Sequence, residues 1–153
     1  MAPQTDRIER DVLIAAPIER VWSLVTSAEH LGRWFGDTGA EIDLRPGGAF
    51  SLSWEQHGTV RGRVVDVEPN RRFSYRWITV GDREHADPVE GNSTLVEFTL
   101  HAEGDGTRLR VVESGFDKLF ADPAKQGERA EDNRKGWASE LDELREYAER
   151  VAV

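Results

Sequence analysis

Glu113 is the ionisable residue whose place in the chain could do chemistry. It continues the two-residue alternation of Leu109 and Val111, so its side chain is expected to point inward, where a carboxylate is costly unless paired. A carboxyl in that position is a candidate general acid or base, or a ligand anchor, with its pKa raised by burial. The competing expectation is that the strand ends or bulges there and leaves Glu113 at the rim or against Arg61 or Arg63. A second set, Trp34, Phe50, Trp54, Tyr75, Trp77, Phe98, Phe116, Phe120, Trp137 and Leu141, is the candidate wall of a ligand-binding pocket. Pockets of ~300 Å³ or more are typically lined this way. The same side chains also fill an ordinary core, since an aromatic buries ~150–250 Å². Tyr75 and the indole N–H groups would supply the polar contacts that orient a ligand.

Other chemistry lacks its residues. His30, His57, His85 and His101 fall in a helix, a turn, a loop and a strand end, without the two-apart or four-apart spacing that puts imidazoles on one metal, so no metal site is expected. No serine sits in a Gly-x-Ser-x-Gly elbow, and no glycine pattern matches a phosphate loop or a dinucleotide fingerprint, so no cofactor is expected. The chain has no cysteine, which excludes a disulfide framework, a zinc thiolate site and a thiol nucleophile.

The elements that must position these residues follow from periodicity. Residues 7 to 15 read as a first strand with Ile8, Val12 and Ile14 on one face. Six further segments carry apolar residues on one parity: Ala40/Ile42/Leu44, Phe50/Leu52/Trp54, Val60/Val64, Phe73/Tyr75/Trp77, Val96/Phe98/Leu100 and Leu109/Val111. A period of two means half-buried antiparallel strands. The parity slips between Val64 and Val65, as a bulge requires. Pro17 suits the first turn of a helix bearing Ile18, Val21, Trp22 and Val25, and Ser27 can cap a second, ended by Gly36. Turns are expected at Pro46-Gly47-Gly48, His57-Gly58, Pro69-Asn70 and Asp105-Gly106, and residues 80 to 93 read as a polar, mobile hairpin loop.

A final helix is expected from about Glu128 to Val151, with Trp137, Leu141, Leu144, Ala148 and Val151 as a single apolar stripe and with Glu131–Lys135 and Glu146–Arg150 pairs on its wet side. Gly136, which costs ~1 kcal/mol relative to Ala in a helix interior, is expected where another backbone comes close. Residues 116 to 126 read as an apolar crossover into this helix, and 116 to 120 as part of a pocket mouth. One helix can cover so wide a sheet only if the sheet curls around it, and space left between them would be an apolar pocket. The fold class is therefore α+β: a curved antiparallel sheet around a long carboxy-terminal helix, with two short helices after the first strand.

At 153 residues the chain is expected to form one domain, with its core at about 7–150. Lys plus Arg number 20 against 29 Asp plus Glu, a net charge of -9, so phosphate backbones are repelled and no nucleic acid is expected as partner. The helix pair offers little to a major groove. No segment approaches the ~18 apolar residues of a membrane span, and no leader is evident, so a cytoplasmic protein without membrane insertion is expected. The edge strand Ile8–Ile14 allows a homodimer.

The order of elements resembles the helix-grip fold of the START-like (SRPBCC) superfamily. Particular residues resemble its branch named for the activator of heat-shock protein 90 ATPase: Ala16-Pro17 with Val21-Trp22, Leu31 with Trp34-Phe35, Asp43 through Phe50, Gly62 through Pro69 to Phe73, Tyr75 and Trp77, Gly106-Thr107 before Leu109, and Gly136-Trp137 with Leu141 and Leu144. The resemblance covers roughly residues 7 to 150. It implies a scaffold that in its relatives serves lipid carriers, hormone receptors and cyclases and can hold aromatic natural products, with a chaperone among the partners to consider. The leading expectation is a protein that binds a small hydrophobic, aromatic or acyl molecule between sheet and helix. The alternatives are an acid-base enzyme of cyclase, dehydratase or hydrolase type acting on a bound polyketide-like compound through Glu113, and a chaperone-interacting protein.

Overall fold

A computed structural model describes residues 7–56 and 58–151 of the chain. Met1–Asp6, His57, the last two residues and the side chain of Val151, expected to end the helix stripe, lie outside the described residues. The elements run β1 (Arg7–Ile14), α1 (Ile18–Thr26), α2 (Ala28–Trp34), β2 (Gly39–Ile42), β3 (Ala49–Trp54), β4 (Gly58–Glu68), β5 (Arg72–Ile78), β6 (Ser93–Glu103), β7 (Gly106–Ser114), a 3-10 turn (Phe116–Lys118) and α3 (Pro123–Val151).

Among the described residues the strands form one antiparallel sheet in the order β1-β7-β6-β5-β4-β3-β2. Strands from β2 onward are hairpin neighbours, whereas β1 lies at the far edge beside β7. The α1–α2 pair carries the chain from one edge of the sheet to the other, which is why two short helices must intervene after β1. In β7 Thr107, Leu109, Val111 and Glu113 are all buried, so the two-residue alternation runs to the end of the strand. The register slips between Val64 and Asp66, and Val65 is turned outward. The extra residue bends β4 where the sheet must curl. Together these features make the α+β architecture expected from periodicity, an antiparallel sheet around a long carboxy-terminal helix, in the helix-grip arrangement that the resemblance implies.

Several local details differ from expectation. The last helix starts at Pro123, not near Glu128: the Asp122 carboxylate accepts the Lys125 N–H at 2.8 Å and the Asp122 carbonyl accepts the Gln126 N–H at 2.9 Å. Asp122-Pro123 is thus a cap followed by proline in the first turn, where a missing N–H is harmless. With 29 residues α3 is ~43 Å long. Ser27 precedes α2 but makes no capping bond through its side chain. The β6–β7 loop is Gly104-Asp105, with Gly104 at φ 61°, because Glu103 already pairs with Gly106. Leu44 lies beyond β2 and is exposed. On the wet side of α3 the ion pairs form three apart, as in Arg129–Asp132 and Arg134–Glu131, where the side chains reach each other at 2.7 and 2.8 Å.

Trp137, Leu141, Leu144 and Ala148 are buried as one stripe of α3, extended at its start by Ala130. They meet a column of rings on the concave face of the sheet. Phe50 stacks on Tyr75 with centroids 4.3 Å apart, Phe73 on Phe98 at 6.3 Å, and Phe98 meets Trp137 edge-on at 5.8 Å. Large rings from β3, β5 and β6 therefore fill the middle of the concavity, and a cavity remains towards the end where β5 runs into β6.

Candidate functional site

At that end a buried carboxylate draws in donors from three elements. Glu113 on β7 has no exposed surface. Its Oε1 accepts the Trp137 indole N–H at 2.8 Å; its Oε2 accepts the Trp77 indole N–H at 2.8 Å and the Thr94 hydroxyl at 2.5 Å. The Asn133 amide nitrogen donates to both oxygens, at 3.1 and 3.0 Å. Thr94 is in turn 2.9 Å from the Thr79 hydroxyl. Burial pushes the Glu113 carboxyl above its ordinary value, and the bonds from Thr94, Trp77, Trp137 and Asn133 pull it back. Glu113 is therefore neither at the rim nor against Arg61 or Arg63. Those two arginines instead hold Asp87, at 3.4 and 3.1 Å. The strand neither ends nor bulges before Glu113, and neutral donors replace the expected cation.

Beside this cluster lies a cavity of about 350 Å³. Phe35, Trp54, Trp77 and Trp137 form its aromatic wall, Val60, Ile78 and Thr79 its β-sheet side, and Asn133, Gly136 and Glu140 its α3 side, with Arg83, Arg129 and Asp132 at the polar margin. The rings pack around Phe35, whose centroid lies 5.7 Å from Trp54, 5.5 Å from Trp77 and 5.2 Å from Trp137. Every indole N–H in this wall is turned into the protein. Trp77 and Trp137 donate to Glu113, and Trp54 donates to the Phe35 carbonyl at 2.8 Å. What the wall offers a ligand is ring carbon and π-electron surface. The indoles thus do not supply the orienting donors expected of them.

The expected pocket residues divide into two groups. Trp54, Trp77 and Trp137 come together around the cavity, whereas Trp34, Phe50, Tyr75, Phe98, Phe116 and Leu141 are buried in the packed core away from it. Mutual stacking of the rings from β3, β5 and β6 is the reason, and Trp34 is further held by its N–H bond to the Leu24 carbonyl at 2.7 Å. Phe120 is 79% exposed; its backbone N–H bonds the Gly91 carbonyl at 2.6 Å, and its ring covers Gly91, where any Cβ would collide with it. The 116–120 crossover is therefore not the mouth. That role falls to the β5–β6 connection, which contributes Thr79 and Arg83. Expected to be mobile, this connection is laced by Asp82 bonds to the Glu84 and His85 N–H groups and by Asn92 bonds to Val89 and Asp87. Gly136 is not at a close backbone approach. A Cβ there would meet nothing within 4 Å, because the residue faces the cavity.

Phe35, Asn133 and Glu140 are functional candidates that the chain's patterning hid. Asn133 and Glu140 lie four before and three after Trp137, on the buried stripe of α3, but a polar residue at a stripe position ordinarily signals the stripe's end. Glu140 is the more unusual. Its carboxyl is pushed up to about 8 by burial first and then by Glu143 and Asp37, and its Oε2 is buried without a hydrogen-bond partner. The Tyr75 hydroxyl, wholly buried one ring in from Trp77, also lacks a partner. Burial, then Glu113 and Glu140, raise its phenol well above the ordinary range.

The family signature described as Activator of Hsp90 ATPase homolog 1-like protein matches residues 15–149. The chain belongs to this family. No curated protein matches the sequence. Among solved structures the chain is similar to protein MLL2253 from Mesorhizobium loti, with TM-score 0.78, 24% identity, and coverage of 96% of this chain and 99% of that one. It is similar to CalU16 from Micromonospora echinospora, with TM-score 0.66, 28% identity, and coverage of 90% and 73%. It also shares its fold with the Aha1 dimer from Colwellia psychrerythraea, at TM-score 0.67 and 18% identity, covering 91% and 92%. Within the family fold, the Glu113 cluster and the aromatic cavity mark the end of the grip where the sheet and α3 part. No helix among the described residues is long and apolar enough to cross a membrane.

Proposed function

We propose that this family member binds a small, largely aromatic molecule in the cavity between α3 and the β5–β6 end of the sheet. The observation that carries the reading is the wall itself: four rings, three of them packed around Phe35, beside about 350 Å³, with every indole N–H committed elsewhere. A wall of this kind stabilises a ligand by apolar burial, at ~25 cal/mol per Å². Glu113 holds Trp77 and Trp137 in position; both its oxygens are already bonded to protein donors, which favours binding over proton transfer by this carboxyl. The reading includes action in the cytoplasm and a homodimer; the Aha1 dimer of the same fold is the support for a dimer, and β1, at the edge of the sheet, is the strand through which we would pair it.

Native mass spectrometry of protein purified from its own host tests the reading. A retained small molecule of low mass, released on denaturation and absent from a Gly136→Leu variant whose side chain fills the cavity, is the expected result. Equal retention by the variant would place the molecule elsewhere.

A further inference from the structure

The polar residues of the cavity are unequally matched, and the imbalance names a ligand chemistry. Arg129 has its charge answered by Asp132 at 2.7 Å, with Glu128 at 3.9 Å, although its buried Nε has no hydrogen-bond partner. Asn133 is taken up by Glu113. Glu140 differs in its surroundings: it stands in the wall with a buried oxygen that has no hydrogen-bond partner, and the charged neighbours that raise its pKa, Glu143 and Asp37, are both acidic. A buried acceptor left unmatched is costly, and a ligand donor would recover that cost. Next to it are Phe35, Trp54, Trp77 and Trp137, whose accessible surface is π-electron density, and rings of this kind attract cations.

We propose that the ligand is an aromatic amine in its protonated form, with the ammonium group received by Glu140 and the aromatic body held against the three tryptophans. This rests on the cavity-binding reading and deepens it. Entry of the cation draws the Glu140 carboxyl down from its raised value, so binding at neutral pH releases a proton. Arg83 and Arg129, at the margin, are the groups that would favour the opposite charge.

Isothermal titration of the full chain with 1-naphthylmethylamine, 1-naphthylmethanol and 1-naphthoate separates the outcomes. The amine is expected to bind at least about tenfold more tightly than the alcohol at pH 8. With a carboxyl titrating at about 8, amine affinity is expected to rise about tenfold or more between pH 6 and pH 8. Glu140→Gln should abolish both differences, bringing the amine's affinity to that of the alcohol and removing its rise between pH 6 and pH 8. Equal affinity of amine and alcohol for the wild-type chain would overturn the amine assignment and leave the aromatic cavity standing. Preference for 1-naphthoate would overturn it in favour of an anion held by the marginal arginines, and silence from all three probes would remove it together with the support for an aromatic ligand.

Discussion

Trp77 of β5 and Trp137 of α3 donate to opposite oxygens of one carboxylate, Glu113, each at 2.8 Å, and their rings lie 5.9 Å apart. A single buried side chain on a third element thereby sets the distance between sheet and helix at the cavity. Two indoles that would otherwise need partners of their own are satisfied together.

Glu113→Gln tests that relationship. The variant places an amide N–H₂ against donors that come at both oxygens, so at least one indole or amide donor is left facing another donor. A loss of roughly 1–3 kcal/mol in urea-induced unfolding is expected, accompanied by a red shift of tryptophan emission as Trp77 or Trp137 loosens. Unchanged stability and emission would mean that the carboxyl does not organise the two rings.

Tyr75→Phe should behave unlike the usual removal of a buried hydroxyl. The Tyr75 oxygen has no partner and its ring is fully packed against Phe50 and Trp77. Deleting it removes an unmatched polar atom, and the expected result is unchanged stability or a gain of up to ~1 kcal/mol in thermal unfolding. A loss of 1 kcal/mol or more would reveal a hydrogen bond to an ordered water or a bound molecule.

Gly136→Ala is expected to stabilise the free protein. The added methyl meets nothing within 4 Å, and the helix interior gains about 0.5–1 kcal/mol when glycine is replaced by alanine. For a chain of this size the melting temperature should rise by roughly 1–4 °C. A fall in melting temperature on calorimetry would show that the cavity side of α3 is already filled.

The pH dependence has a definite sign. Glu113 and Glu140 both have carboxyls raised in the folded protein, Glu140 from 4.5 to about 8. Each folded carboxyl binds its proton more tightly than the unfolded chain does, so the stability it contributes is fully present below about pH 4.5 and is lost as pH rises through the folded value. The net charge of -9 adds self-repulsion in the same direction. Chemical denaturation should therefore show greater stability near pH 5.5 than near pH 8.5, and Glu140→Gln should flatten the slope over the upper part of that range. A slope of the opposite sign, or one untouched by the substitution, would contradict the burial of this carboxyl.

Much of this architecture is written in local patterns. Alternation of apolar residues decides the strands, their concave faces and the inward direction of Glu113, because a strand has a period of two that cannot be shifted without turning every side chain over. The slip at Val64–Val65 decides the bulge, and the spacing of Trp137, Leu141, Leu144 and Ala148 decides which face of the last helix is gripped. These are properties of neighbours along the chain, so they are legible without coordinates. The three tryptophans of the site are also recognisable among the chain's aromatic residues, but Phe35 is not, nor is which rings line space and which fill it. That depends on rings from β3, β5 and β6 meeting across the sheet, where Phe50, Tyr75 and Phe98 close the middle and leave Trp54, Trp77 and Trp137 around a void. Nor does any local pattern reveal that Asn133 and Glu140 belong to a site, since Asn133 becomes significant only beside Glu113, 20 positions away in the chain, and Glu140 only as it faces a cavity. Packing and desolvation are properties of three-dimensional neighbours, and only the tertiary structure could decide that a carboxylate at one strand end holds two tryptophans apart.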